Sequence, residues 1–83
     1  MLRRESWVDR RGRVVRYNLG YINHLIYAGD DGRVLGYDSA HGHHHRHSRG
    51  KVTTVRFEGF EQIEARFKRE WSRLAKEMRR AEG

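Results

Sequence analysis

Eighty-three residues, with 18 lysines and arginines against 11 acids, a formal net charge of +7 and no cysteine, leave room for one small domain. They exclude a disulfide framework and any thiolate metal site. No stretch approaches the ~20 apolar residues of a membrane-spanning helix, and the opening MLRRESWVDRRG lacks the apolar run of a signal peptide, so a soluble, cytoplasmic protein is expected. All the basic residues except Lys51, Lys68 and Lys76 are arginines. The guanidinium fork matches phosphate geometry, so the charge points first to a nucleic acid and second to an acidic protein partner.

In chain order, Ser6-Trp7-Val8 is a short apolar-centred run. Arg11-Gly12 marks a turn, and RVVRYNL restarts a β-rich run. GYINHLIYA continues it, with Gly20 as a bulge or bend within one long strand or a break between two. Asp31-Gly32 predicts a hairpin turn, after which residues 33 to 39 return beside residues 21 to 28. After Ser39 the hydrophobic pattern stops. AHGHHHRHSRGK has no buried face of its own and is expected to be a loop or an extended edge, and VTTVRFEG (52 to 59) is a further strand.

Phe60, Ile63, Phe67, Trp71, Leu74 and Met78 form one stripe at helical spacing. The spacing predicts a helix from about 60 to 81, with acids early and bases late, as the helix dipole prefers. A sheet needs a cover, and this helix is the only long one offered. The expected architecture is a single α+β domain over 1–83: an antiparallel β-meander of about four strands within 4–58, packed against one long C-terminal helix.

The segment YDSAHGHHHRH carries five of the six histidines. If residues 41 to 47 are extended, His41, His43, His45 and His47 share one face, and His44 and Arg46 the other. Alternate histidines can clip a metal such as Zn²⁺ or Ni²⁺, which makes His41, His43, His45 and His47 one candidate ligand set. The other chemistry takes no cofactor. RNA is cleaved when one group takes the 2′-hydroxyl proton and another protonates the leaving 5′-oxygen, while a cation steadies the phosphate. His43, His45 and His47 are candidates for the proton transfers, with Asp38 orienting an imidazole. Arg46, Arg49 and Lys51 are candidate phosphate contacts, and Tyr37 is a candidate site neighbour. The bland alternative is a solvated basic loop. The other tyrosines read as half-buried sheet positions, and His24 as a structural or surface residue.

GRVLGYDSAHGHHHRH resembles the signature of the TumE-like family of bacterial and archaeal toxin–antitoxin loci. That family has a hairpin strand ending in a Tyr-Asp-Asn-Ala-like run, then a histidine-rich segment. The preceding β-rich run and the amphipathic C-terminal helix match this layout. The resemblance implies a growth-inhibiting toxin whose partner is a cognate antitoxin with a DNA-binding domain. The ribonuclease expectation comes from the residues instead: a basic surface, a histidine cluster and a small α+β body. Two further expectations remain: a non-enzymatic basic module that binds nucleic acid or an acidic partner, and a homo-oligomer, since so short a chain is marginal alone.

Overall fold

The computed structural model describes residues 1–40 and 42–82. Five strands follow in order: β1 (Leu2–Val8), β2 (Val14–Ile22), β3 (Arg33–Ala40), β4 (His43–Ser48) and β5 (Lys51–Thr54). They form one antiparallel meander in the order β1-β2-β3-β4-β5, and α1 (Phe60–Glu82) packs on one face against β2 and β3. This is the α+β architecture expected, with one strand more than the four counted from the sequence.

Period-two patterning decides which face is covered. Tyr17, Leu19 and Tyr21 of β2 and Leu35 and Tyr37 of β3 point toward the helix. They meet Ile63 and Phe67 in a buried cluster, with Phe60, Trp71 and Leu74 packed at its margin. The helical stripe is therefore the core face expected of it. The side chain of Met78, its last member, lies outside the described residues. At the cluster's edge the Arg4 guanidinium pairs with Glu64, tying β1 to the helix. The other face of the sheet carries no second layer among the described residues. No described helix is long and apolar enough to cross a membrane.

Three local expectations are corrected. The strand through GYINHLIYA stops at Ile22, because the Asn23 side-chain oxygen accepts from the Leu25 N–H and the Asn23 carbonyl accepts from the Ile26 and Tyr27 N–H groups. Asparagine turn chemistry overrides the β-rich composition that follows it, so β3 returns beside residues 18–22 rather than 21–28. The Asp31-Gly32 turn is a short 3₁₀ segment (Asp30–Gly32) leading into β3. The strand expected over 52 to 59 ends at Thr54, and Phe57 turns back to stack on His44 with ring centroids 4.1 Å apart.

The histidine segment is neither a loop nor an edge. β4 is an interior strand between β3 and β5, entered through Gly42 at φ +79°. It is left through Arg49 and Gly50, both at positive φ, as a two-residue hairpin turn of the I′ kind requires. The glycine in the strand pattern also behaves differently from a break. Gly20 stays in register opposite Gly36, and the irregularity falls on β3. Tyr21 pairs with Leu35 and Ile22 with Arg33, leaving Val34 as the extra, bulged residue.

Candidate functional site

The uncovered face of the sheet gathers a polar cluster around Asp38. Register places Asp38 directly opposite His45 on one side and Asn18 on the other. His45 Nδ1 lies 3.7 Å from Asp38 Oδ1, and His47 Nε2 lies 2.9 Å from Asp38 Oδ2. His47 is paired in register with Gly36, not with Asp38. Because a glycine stands opposite it, its ring leans along the diagonal to the carboxylate, within the reach of long side chains across neighbouring strands. His47 Nε2 is buried and makes no well-aligned hydrogen bond, so the carboxylate is its only close polar neighbour among the described residues.

Arg33 completes the cluster. Its guanidinium donates to Asp38 Oδ2 at 3.3 Å and to Asp30 Oδ2 at 3.0 Å. Simple alternation would place Arg33 on the helix side with Leu35 and Tyr37. The bulge at Val34 reverses that and sends it to the Asp38 face, as bulges commonly do. Its chain lies across the two paired glycines. A Cβ on Gly36 would stand 2.7 Å from Arg33 Cδ, and one on Gly20 3.6 Å from the same atom. The glycine pair is thus a bed for the arginine. Sequence reasoning missed Arg33; the nearest signal was a lone glycine at the same relative place in two adjacent strands.

The alternation expected of the histidine segment is present from residue 43 onward. His45 and His47 face Asp38. His43 shares their side, with its ring 6.3 Å from that of His45, but it is exposed and does not reach the carboxylate. His41 lies outside the described residues. His44 faces the helix side, where its Nδ1 is 2.9 Å from the Tyr17 hydroxyl. Burial lowers the His44 pKa, and the neighbouring charges of His45 and His43 add to that. Burial also pushes the Tyr17 hydroxyl up to about 12, with the Asp38 charge contributing. The pair joins β2 to β4 on the helix side.

Two of the expected nucleic-acid contacts, Tyr37 and Arg46, lie on the helix side of the sheet. Tyr37 is fully buried, with its hydroxyl donating to Glu70 of α1, so it is a packing residue and offers no face to a base. Arg46 points the same way. Its Nε and NH2 lie 3.1 and 2.5 Å from Glu70 Oε2, and Arg66 approaches the other oxygen at 3.5 Å. Burial raises the Glu70 pKa and the Arg73 charge opposes that rise. Arg46 thus ties β4 to the helix, on the opposite side of the sheet from Asp38. Arg49 and Lys51 stand exposed at the β4–β5 turn, away from Asp38. The cations on the uncovered face are Arg3, Arg16 and Arg33. Arg16 lies over the exposed Trp7 ring at 4.8 Å.

Among the described residues no group of three or more histidines and acids converges as metal ligands do. The rings of His43, His45 and His47 stand 6.3 to 6.4 Å apart in succession.

What the arrangement can do is move protons beside a phosphate. Each of two imidazoles turns one nitrogen toward the same carboxylate and leaves the other free. A guanidinium sits alongside, and the sheet face in front is open. No known protein family, curated protein or solved structure matches the chain.

Proposed function

We propose that the protein binds single-stranded RNA across the uncovered sheet face and cleaves it by histidine acid–base chemistry at Asp38, His45 and His47. The observation that carries this reading is the pair of imidazoles flanking one carboxylate, with Arg33 beside it, on a face that no helix or second sheet covers among the described residues.

Each group has a role that follows from its geometry. His47 Nε2 lies 2.9 Å from Asp38 Oδ2 with no hydrogen bond formed; in the proposed reaction a turn of the ring lets Nε2–H donate to the carboxylate, and Nδ1 keeps its lone pair, the tautomer of a base. That Nδ1 takes the 2′-hydroxyl proton as the 2′-oxygen attacks phosphorus. His45 turns Nδ1 toward Asp38 and leaves Nε2 to give a proton to the departing 5′-oxygen. The products are a 2′,3′-cyclic phosphate and a free 5′-hydroxyl, so one proton is taken and one returned. Arg33 offers positive charge to the non-bridging oxygens. Trp7, with Arg16 over it, supplies a ring on which a flanking base stacks.

The cellular setting rests on the resemblance of residues 32–47. In this reading the protein is a cytoplasmic toxin, held by an antitoxin that covers the basic face until released. The test is inducible expression in a bacterial host, with growth and total RNA followed together. Wild type arrests growth with RNA decay. A His45/His47→Ala double variant, confirmed as folded, does neither. Normal growth with intact RNA under wild-type expression would remove the toxin reading. Binding without cleavage would instead favour a non-enzymatic basic module, for which affinity falls with salt in proportion to the phosphates neutralised.

A further inference from the structure

Beside Asp38, along β2, the uncovered face opens into a cleft of about 490 Å³, within the size range of small-molecule sites. Asn18 and Arg33 belong to both places: they flank Asp38 and line the cleft. Gly20 lies at its base, two residues along the strand from Asn18, or about 7 Å, with the Arg33 and Arg3 side chains over it. The walls are Arg3 from β1, and His24 and Asp31 from the connection between β2 and β3.

The two acids of that connection are not equivalent. Asp30 is taken up by Arg33 at 3.0 Å. Asp31 makes no ion pair or side-chain hydrogen bond among the described residues, and it is exposed where it lines the cleft. Its backbone is left-handed (φ +52°, ψ +33°), a conformation that aspartate and asparagine tolerate better than other side chains. The His24 ring is seated on Gly32. A Cβ there would come within 2.7 Å of the imidazole, and the glycine's own φ of +80° lies in the left-handed region that favours glycine. The cleft thus has an aromatic wall at His24, a carboxylate at Asp31 with no partner among the described residues, and the Arg3 guanidinium, exposed and 3.8 Å from Glu5.

Resting on the RNA reading above, we propose that this cleft is a nucleobase subsite selective for guanine at the nucleotide flanking the cleaved phosphate. Unstacked bases are read on their Watson–Crick and Hoogsteen edges. Guanine is the base whose Watson–Crick edge presents two adjacent donors, N1–H and the N2 amino group, which one carboxylate accepts together; its O6 and N7 acceptors suit an arginine fork. Adenine and cytosine would set a ring acceptor against the Asp31 carboxylate. Uracil would offer one donor between two carbonyl oxygens. Asp31 is the group that accepts from N1–H and N2–H, Arg3 donates to O6, and His24 stacks.

The experiment measures binding with four short 2′-O-methyl oligouridylates, each carrying A, C, G or U at one internal position. The 2′-methyl group blocks the attacking oxygen, so affinity is read without turnover. Fluorescence anisotropy on the wild-type protein gives about tenfold tighter binding of the guanine oligomer, the low end of what one good bidentate base contact provides. Asp31→Asn, which keeps the backbone conformation accessible, removes that preference. Arg3→Gln weakens it. Equal binding of all four oligomers overturns the subsite alone, as does a preference that Asp31→Asn leaves intact. If none of the four binds, the RNA reading falls and the subsite with it.

Discussion

His47→Ala lowers the rate of RNA cleavage by about 10²–10⁴-fold, the scale of one positioned proton transfer, with affinity for the same RNA unchanged within error. The ring lies on the face opposite the helix and outside the Tyr17–Ile63 cluster, so its removal leaves that core intact. It also takes away the imidazole closest to the Asp38 carboxylate, at 2.9 Å. His43→Ala is the matched control. It removes an exposed histidine from the same strand and the same face, and with it a similar charge. His43 makes no contact with Asp38, so the loss is small beside that of His47→Ala. Single-turnover cleavage of a labelled single-stranded RNA separates the two. Equal losses in both variants would mean that the segment acts through charge alone.

Ile63→Ala is the largest expected loss of stability, about 2–5 kcal/mol for a buried aliphatic cut to alanine. Ile63 is fully buried among Tyr17, Leu19, Leu35 and Tyr37, where the helix meets β2 and β3. At roughly 0.05–0.15 kcal/mol per residue, a chain of this length holds about 4–12 kcal/mol in all, so this one change removes much of it. Trp7→Ala, on the uncovered face, removes a larger side chain. Trp7 is 42% exposed and its close partner is Arg16, so about 0.5–1 kcal/mol is expected, the worth of an exposed cation–π contact. Denaturant unfolding of the two variants compares the faces directly. A Trp7→Ala cost equal to that of Ile63→Ala would mean that the second face is also packed, and that the site is not open.

How far these features are legible in the sequence depends on how local their causes are. The helix over Phe60–Glu82 is written in one unbroken stripe, and its core role follows from the need of a sheet for a cover. The alternation of His43, His45 and His47 against His44 and Arg46 is a strand period, legible once the segment is taken as extended. What hides the strand is that its inward residues are polar. His44 and Arg46 are half-buried against Phe57, Tyr17 and Glu70, partners that no hydropathy pattern announces. Glu70 is 24 positions from Arg46 and 33 from Tyr37, too far for sequence spacing to suggest that it would occupy both. Arg33 is hidden for another reason. Its face is set by a single bulged residue, Val34, and parity counting without the bulge sends it to the wrong side. The early end of β2 has a local cause, the Asn23 turn, and asparagine in a β-rich run was the available signal.

The most direct test of a metal-independent, histidine-based site is the end-group chemistry of the products. Purified protein is incubated with a labelled single-stranded RNA in excess EDTA, and the fragment termini are identified by mass spectrometry. The account predicts cleavage undiminished by the chelator, with 2′,3′-cyclic phosphate and 5′-hydroxyl ends. Fragments with 5′-phosphate ends, activity that returns only with added metal, or intact RNA in the presence of folded protein that binds it would each contradict the roles given to Asp38, His45 and His47.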